Sequence, residues 1–372
     1  MSYRMLFVDD DEHLLQGLKR LTRTQNKPWT CDFAASGEEG LELLGNHTYD
    51  VIISDMKMPH MDGAAFLEKV REIAPQAVRI VLSGHSKTES IASVANTAHQ
   101  YLAKPCSFEQ LANVIDRALI LRQHFANTAI HELAGRLENL PSPSDHYSQL
   151  MELLDDPDST AEAIAKIAKE DVAMVAELLK LTNSQYFSLA STATTVEQAV
   201  KLLGTDVIRM LVFNVGIFSA FTAHGSEAKL ISMLQSRALH LASTCANGAA
   251  ALSLPPVRVQ LAYVTGMLCE IGILILLDRA PTAYTDLTIR SGQSNTPLLQ
   301  IEQKALGVNH ADLGAYLLGL WGFQDDVVWA VTARSPRAPE TVDPGSLTPI
   351  LQRVLSEYPL EDALKKCMEA PS

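Results

Sequence analysis

Between residue 3 and about residue 122, short apolar runs alternate with amphipathic stretches, and nothing else in this chain restricts its fold as much. YRMLFV precedes HLLQGLKRL, WTCDFAA precedes EEGLELL, VIIS precedes GAAFLEKVREI, RIVLS precedes IASVANTA, and YLA precedes FEQLANVIDRALIL. An apolar run of strand length is buried on both faces, and the helical period that follows it supplies the crossover that parallel strands require. Five such units predict an α/β fold: a doubly wound, five-stranded parallel sheet. Ligands of such sheets gather at the carboxyl ends of the strands, where the strand order reverses. The polar residues that close the apolar runs are therefore the candidates for chemistry: Asp9 and Asp10, Asp55, Ser83 and Lys104.

After residue 122 the alternation stops and no strand is expected. A stripe of Leu119, Ala126, Ile130, Leu133, Leu137 and Leu140 carries the last helix of the first region onward, until the two prolines of LPSPSD break it. Helical patterns such as SQLMELL, AEAIAKIAK, MVAELLKLT and EQAVKLLG then follow one another to about residue 335. The tail, SPRAPETVDPGSLTP onward, reads as a loop before one short helix. The expected organisation is residues 1–122 as an α/β domain, 123–146 as a helical linker, 147–335 as an all-α domain and 336–372 as a tail. A chain of 372 residues exceeds what one core usually organises, which agrees with two domains. The stripe over 119–140 leaves an apolar seam that either packs on the chain's own helical domain or pairs with a second copy.

The formal net charge of −13 repels polyphosphate backbones, and no basic cluster relieves it, so general nucleic-acid binding is not expected. Cys31, Cys106, Cys245, Cys269 and Cys367 show no CxxC spacing, and MSYRMLFVDDDE has too short an apolar run for a secretory leader. The expected location is cytoplasmic, with reduced thiols. The most apolar segments, 207–221 and 264–277, are shorter than a bilayer span and read as buried helices rather than membrane insertions.

Asp9, Asp10 and Asp55, brought together at strand ends, repel one another unless a cation sits among them, and all-oxygen ligands suit Mg²⁺. Each acidic residue alone reads as a helix cap; all of them in order at strand ends do not. Asp55 closes the central strand and is the best nucleophile, because a carboxylate can accept a phosphoryl group. FVDDDE, SDMKMPHMDG, LSG and YLAKP resemble the receiver domain of bacterial two-component response regulators, from Met5 to about Leu121. The resemblance implies a flavodoxin-like fold and a partner histidine kinase. It implies Asp10 as a direct Mg²⁺ ligand, Asp9 as a ligand through water, the backbone carbonyl of Lys57 as another, and Asp55 as ligand and phospho-acceptor. It implies catalytic and switch roles for Ser83, a switch role for Tyr101, a phosphate ion pair for Lys104 and a cis Lys104–Pro105 peptide. His60 and His85 have no family role and read as exposed loop residues.

In the second region LLKLTNSQYF, EQAVKLLG, AYVTGMLCEIG and LGVNHADLGAYLL resemble the HDOD domain, a relative of the metal-dependent HD phosphohydrolases, over residues 140 to 335. The resemblance places Cys269 and Glu270 where the hydrolases carry their His-Asp metal pair. Arg237 falls near the upstream histidine position, where a cation would repel a metal, and His240 stands three residues on. A soft cysteine beside a hard carboxylate is a poor hydrolytic pair, and the histidine pair and GYP loop of the cyclic-dinucleotide phosphodiesterases do not occur. Cys269 and Glu270 are accordingly read as a degenerate pair that does not bind metal, His310 as an inter-helix hydrogen-bonding residue, and Asn183–Ser184 as a helix end. The expected protein is a response regulator whose non-catalytic HDOD output binds an unidentified protein, with a homodimer on activation as a possibility. The alternative is a cyclic-nucleotide or cyclic-dinucleotide phosphodiesterase with atypical metal ligands.

Overall fold

The structure, a computed structural model, describes residues 2–24, 27–84, 97–156, 158–184, 193–215, 217, 219–221, 225–294, 296–338 and 346–369. Contacts divide the chain into two compact units, one built on Met1–Glu138 and the other on Asn139–Asn183, Thr192–Gly319 and Phe323–Ser372.

In the first unit five strands, β1 (Tyr3–Val8), β2 (Trp29–Ala34), β3 (Val51–Asp55), β4 (Val78–Gly84) and β5 (Gln100–Lys104), form one parallel sheet in the order β2-β1-β3-β4-β5. The order reverses between β1 and β3, which puts the ends of these two strands at the crevice. Every residue of β3 is buried, as expected of a strand covered on both faces. Helices α1 (Glu12–Thr24), α2 (Gly37–Asn46) and α3 (Gly63–Ile73) alternate with the strands, and Ser36 and Asp62 cap α2 and α3 through their side-chain oxygens. Phe66, Leu67 and Val70 of α3 pack with Leu6, Val8, Ile52 and Val81 of the sheet. The helix expected over IASVANTA and the loop residue His85 lie mostly or wholly outside the described residues.

The last helix of this unit differs from the expected continuous rod. Helix α4 (Phe108–His124) starts at a capping box of Ser107 and Gln110 and ends at Phe125. Asn127 then caps a separate helix, α5 (Thr128–Gly135), by accepting from the Ala129 N–H. The break folds the chain back on its own unit, so Leu119, Ile130 and Leu137 are buried, Leu133 is half-buried and only Ala126 of their stripe in this unit is exposed. Most of the seam is therefore covered within the chain itself.

The second unit is helical apart from a short strand pair. Pro141–Pro143 and Ser219–Phe221 form a short parallel strand pair, in a stretch where prolines cannot sustain a helix. The apolar segment 207–221 is not one buried helix. It passes from Thr205–Met210 through a π-helical turn, Leu211–Val215, into the second of these strands. The segment 264–277 ends one helix, Pro256–Leu268, and begins another, Ile271–Arg279, with Cys269–Glu270 in the turn between. Pro256–Arg279 is long and apolar enough to cross a membrane by composition, yet 78% of its most apolar window is buried in the protein. The tail folds into two helices, Thr348–Glu357 and Leu360–Glu369, rather than one.

Candidate functional site

Asp9 follows β1 and Asp55 ends β3, so neighbouring strands deliver both carboxylates to the same edge of the sheet. Both are buried, at 3% and 7% exposure, while Asp10 is exposed at the rim. Lys104, from the end of β5, reaches between them: its ammonium donates to Asp9 Oδ2 at 2.7 Å and forms an ion pair with Asp55 Oδ1. The Lys57 N–H donates to Asp55 Oδ2 at 2.7 Å and the Asp11 N–H to Asp9 Oδ1 at 2.9 Å. Burial, with the charge of Asp9 adding to it, holds the Asp55 carboxyl above the ordinary aspartate range, although Lys104 pulls the other way. Burial lowers the Lys104 ammonium, but Asp55 and Asp9 together outweigh it and its pKa is raised.

The loop after β3 is held by a close approach that only glycine permits. Gly63 donates its N–H to Met56 O at 2.9 Å, and a Cβ on it would stand 2.1 Å from the carbonyl oxygen of Asp55. Ser83 is buried at the end of β4, its hydroxyl 3.3 Å from Gly84 O. Tyr101 is turned inward, 3% exposed, and donates to Ala98 O at 3.0 Å. The Lys104–Pro105 peptide is cis, and His60 is exposed with φ at +66°. The donor set suits a hard divalent cation: two buried carboxylates, all oxygen, with a surplus of negative charge that one ammonium does not cancel. Among the described residues no three His, Cys, Asp or Glu side chains converge as a metal cluster, and Asp10 does not join Asp9 and Asp55 in this geometry.

The second unit holds a different arrangement around Cys269 and Glu270. Arg237, on helix Ser226–Ala251, donates through Nε to both Glu270 oxygens at 3.0 and 2.9 Å. Its Nη2 donates to Tyr358 O at 2.8 Å and its Nη1 lies 3.5 Å from Pro359 O, so it joins the turn to the tail. Burial, then the charge of Glu270, pushes the Cys269 thiol well up, and its Sγ lies 3.2 Å from Gly266 O. With its pKa raised, the thiol carries little thiolate, the form that ligates metals, at neutral pH. His240 is exposed and packs edge-on to the Tyr358 ring.

Three residues that no motif singled out complete the picture. Glu302 is fully buried and takes bonds from His310 Nδ1 at 2.8 Å, the His310 N–H at 3.0 Å and the Tyr284 hydroxyl. Burial lowers His310, but Glu302 outweighs it and the imidazole pKa is raised. The signal for Glu302 was its place four residues after Leu298 on the apolar face of its helix; both side chains are buried. Tyr284 gave no such signal. Arg79 stood inside the apolar run RIVLS and is the third.

A family model for the HDOD domain matches residues 140–336, and one for the response regulator receiver domain matches residues 5–116. An uncharacterized protein of Treponema pallidum is 24% identical over 214 residues, 57% of this chain and 41% of its own length. The hydrogenase transcriptional regulatory protein HoxA of Bradyrhizobium diazoefficiens is 34% identical over 119 residues, 32% of this chain and 24% of HoxA. The chain thus spans less than half the length of these curated relatives. The crystal structure of the MmoQ response regulator from Methylococcus capsulatus is similar at a TM-score of 0.48 and 20% identity, covering 63% of this chain and 95% of that one.

Proposed function

Because the chain belongs to the HDOD-domain family and carries a response regulator receiver domain ahead of that domain, we propose that phosphoryl transfer to Asp55 controls a non-catalytic helical output. The observation that carries this reading is Lys104 held between the buried carboxylates of Asp9 and Asp55. An Asp55 oxygen attacks the phosphorus of a kinase phosphohistidine. The new P–O bond forms as the P–N bond breaks, and the departing imidazole keeps the electron pair and takes a proton. Lys104 offsets the charge on the transferred oxygens, and the Ser83 hydroxyl turns to bond one of them. Bound Mg²⁺ supplies further charge neutralisation, with Asp9, Asp10, Asp55 and the carbonyl of Lys57 as the residues that would hold it. Incubation with acetyl phosphate and Mg²⁺ is expected to add one phosphoryl mass. Labelling that survives Asp55→Asn or EDTA would overturn the assignment.

For the output, Arg237 stands against Glu270 as a cation of the protein's own, and the buried Cys269 thiol offers no thiolate. Both favour a surface that binds a protein over a hydrolytic centre. With Mn²⁺, Mg²⁺ or Fe²⁺ the full chain is expected to leave cyclic mononucleotides and dinucleotides intact. Turnover that disappears in Glu270→Ala would replace this reading with a phosphodiesterase. The proposed location is the cytoplasm and the proposed upstream partner a histidine kinase.

A further inference from the structure

Arg79 is the second residue of β4 and is 1% exposed, the largest fully buried side chain among the described residues. Its guanidinium bridges two segments that are far apart in sequence. Nε donates to Thr97 O at 2.6 Å, and Nη2 donates to Gly135 O at 2.9 Å and lies 3.4 Å from His99 Nε2. The Arg79 N–H also donates to His99 Nδ1 at 3.0 Å, while the His99 N–H donates to Arg79 O at 2.9 Å. Thr97, Ala98 and His99 lead into β5, where the Tyr101 hydroxyl holds the Ala98 carbonyl. Tyr101 and Arg79 therefore grip adjacent carbonyls of one loop. At the other end, Gly135 closes α5, and a Cβ on it would stand 1.7 Å from Pro75 O, so the end of α5 is seated against the loop before β4. Arg71 holds Glu138 at 3.0 Å just beyond, one residue before the chain enters the second unit.

We infer that Arg79 is the relay residue of the receiver, transmitting movement of the Thr97–Tyr101 segment to the end of α5. The guanidinium is a planar fork with fixed donor directions. It cannot keep both the Thr97 and Gly135 carbonyls if one of them shifts alone, so the two segments move together or the fork lets go of one. The inference rests on the reading that phosphorylation of Asp55 resets Ser83 and Tyr101. It adds a route out of the receiver opposite the phosphorylated edge, beneath β4 and β5, rather than across the surface of α4.

Hydrogen exchange of the full chain, with and without beryllofluoride and Mg²⁺, tests it. In the wild type, exchange in 97–101 and in 128–138 is expected to change in the same direction, by about fivefold or more. Arg79→Lys keeps the charge but not the fork; it should retain the response at 97–101 and lose it at 128–138. Arg79→Met, which keeps the stem's packing, serves if the lysine variant does not fold. A full response at 128–138 in either folded variant would overturn the relay, and so would a wild type that responds at 97–101 alone. A wild type silent in both segments would sink the activation reading and the relay with it.

Discussion

At Asp55 burial outweighs the ammonium beside it, and this has a measurable sign. A carboxyl whose folded pKa is raised contributes stability that is present below the unfolded value and is lost as pH rises through the folded one. Ionised Asp55 is therefore destabilising at neutral pH. In Mg²⁺-free buffer at pH 7, Asp55→Asn is expected to melt higher, by on the order of 1 kcal/mol, with the gain fading toward pH 4. An Asn variant no more stable than the wild type at pH 7 would contradict this. Arg237 and Glu270, largely buried side chains, instead compensate each other's charge. Glu270→Ala should cost about 3–5 kcal/mol in denaturant melts of the full chain, and the double variant Arg237→Met, Glu270→Leu should recover most of that. The carboxylates at the strand ends could be located from the sequence because strand ends are visible in a hydropathy pattern. Tyr284 could not, because its value lies in a three-way meeting with Glu302 and His310 that no local pattern encodes.

Helix α5 shows where element-scale reading succeeds and where it fails. Its apolar positions were legible, since Ile130 of the stripe is buried and Leu133 half-buried. The break at Asn127 was not, because two helices facing one core preserve the same spacing as one long helix. The strand pair Pro141–Pro143 and Ser219–Phe221 escaped for a related reason: three residues are too few to show a period of two. Within α5, His131 carries a pH prediction. Burial first, then the charge of Arg122, lowers its pKa to about 4 from 6.5. The unfolded chain takes up the proton before the native one does, so stability is present above pH 6.5 and lost as pH falls toward 4. The loss is about 3 kcal/mol across that window. His131→Gln should flatten this slope in pH-dependent melts of the receiver transition; an unchanged slope would assign it to other groups.

At the scale of the whole molecule, a net charge of −13 disfavours nucleic acid as a partner. HoxA, a transcriptional regulator by name, matches this chain over only 119 residues, while residues 140–336 match the HDOD domain. With a net charge of −13, the full chain is expected to leave duplex DNA unshifted in gel electrophoresis at physiological salt, phosphorylated or not. A shift that weakens steeply with added salt would count against the protein-binding output.

The Arg237–Glu270 pair has one more consequence. In a metal-holding relative the positive charge at this turn is borrowed from solution and can be taken away by starvation or a competing chelator. Here it is fixed to the backbone and also grips the carbonyls of Tyr358 and Pro359. On the proposed reading the output half needs no metal, and dialysis against EDTA should leave its melting transition where it was. On that reading Mg²⁺ acts at the receiver alone, and a fall in free magnesium silences the input without loosening the output half.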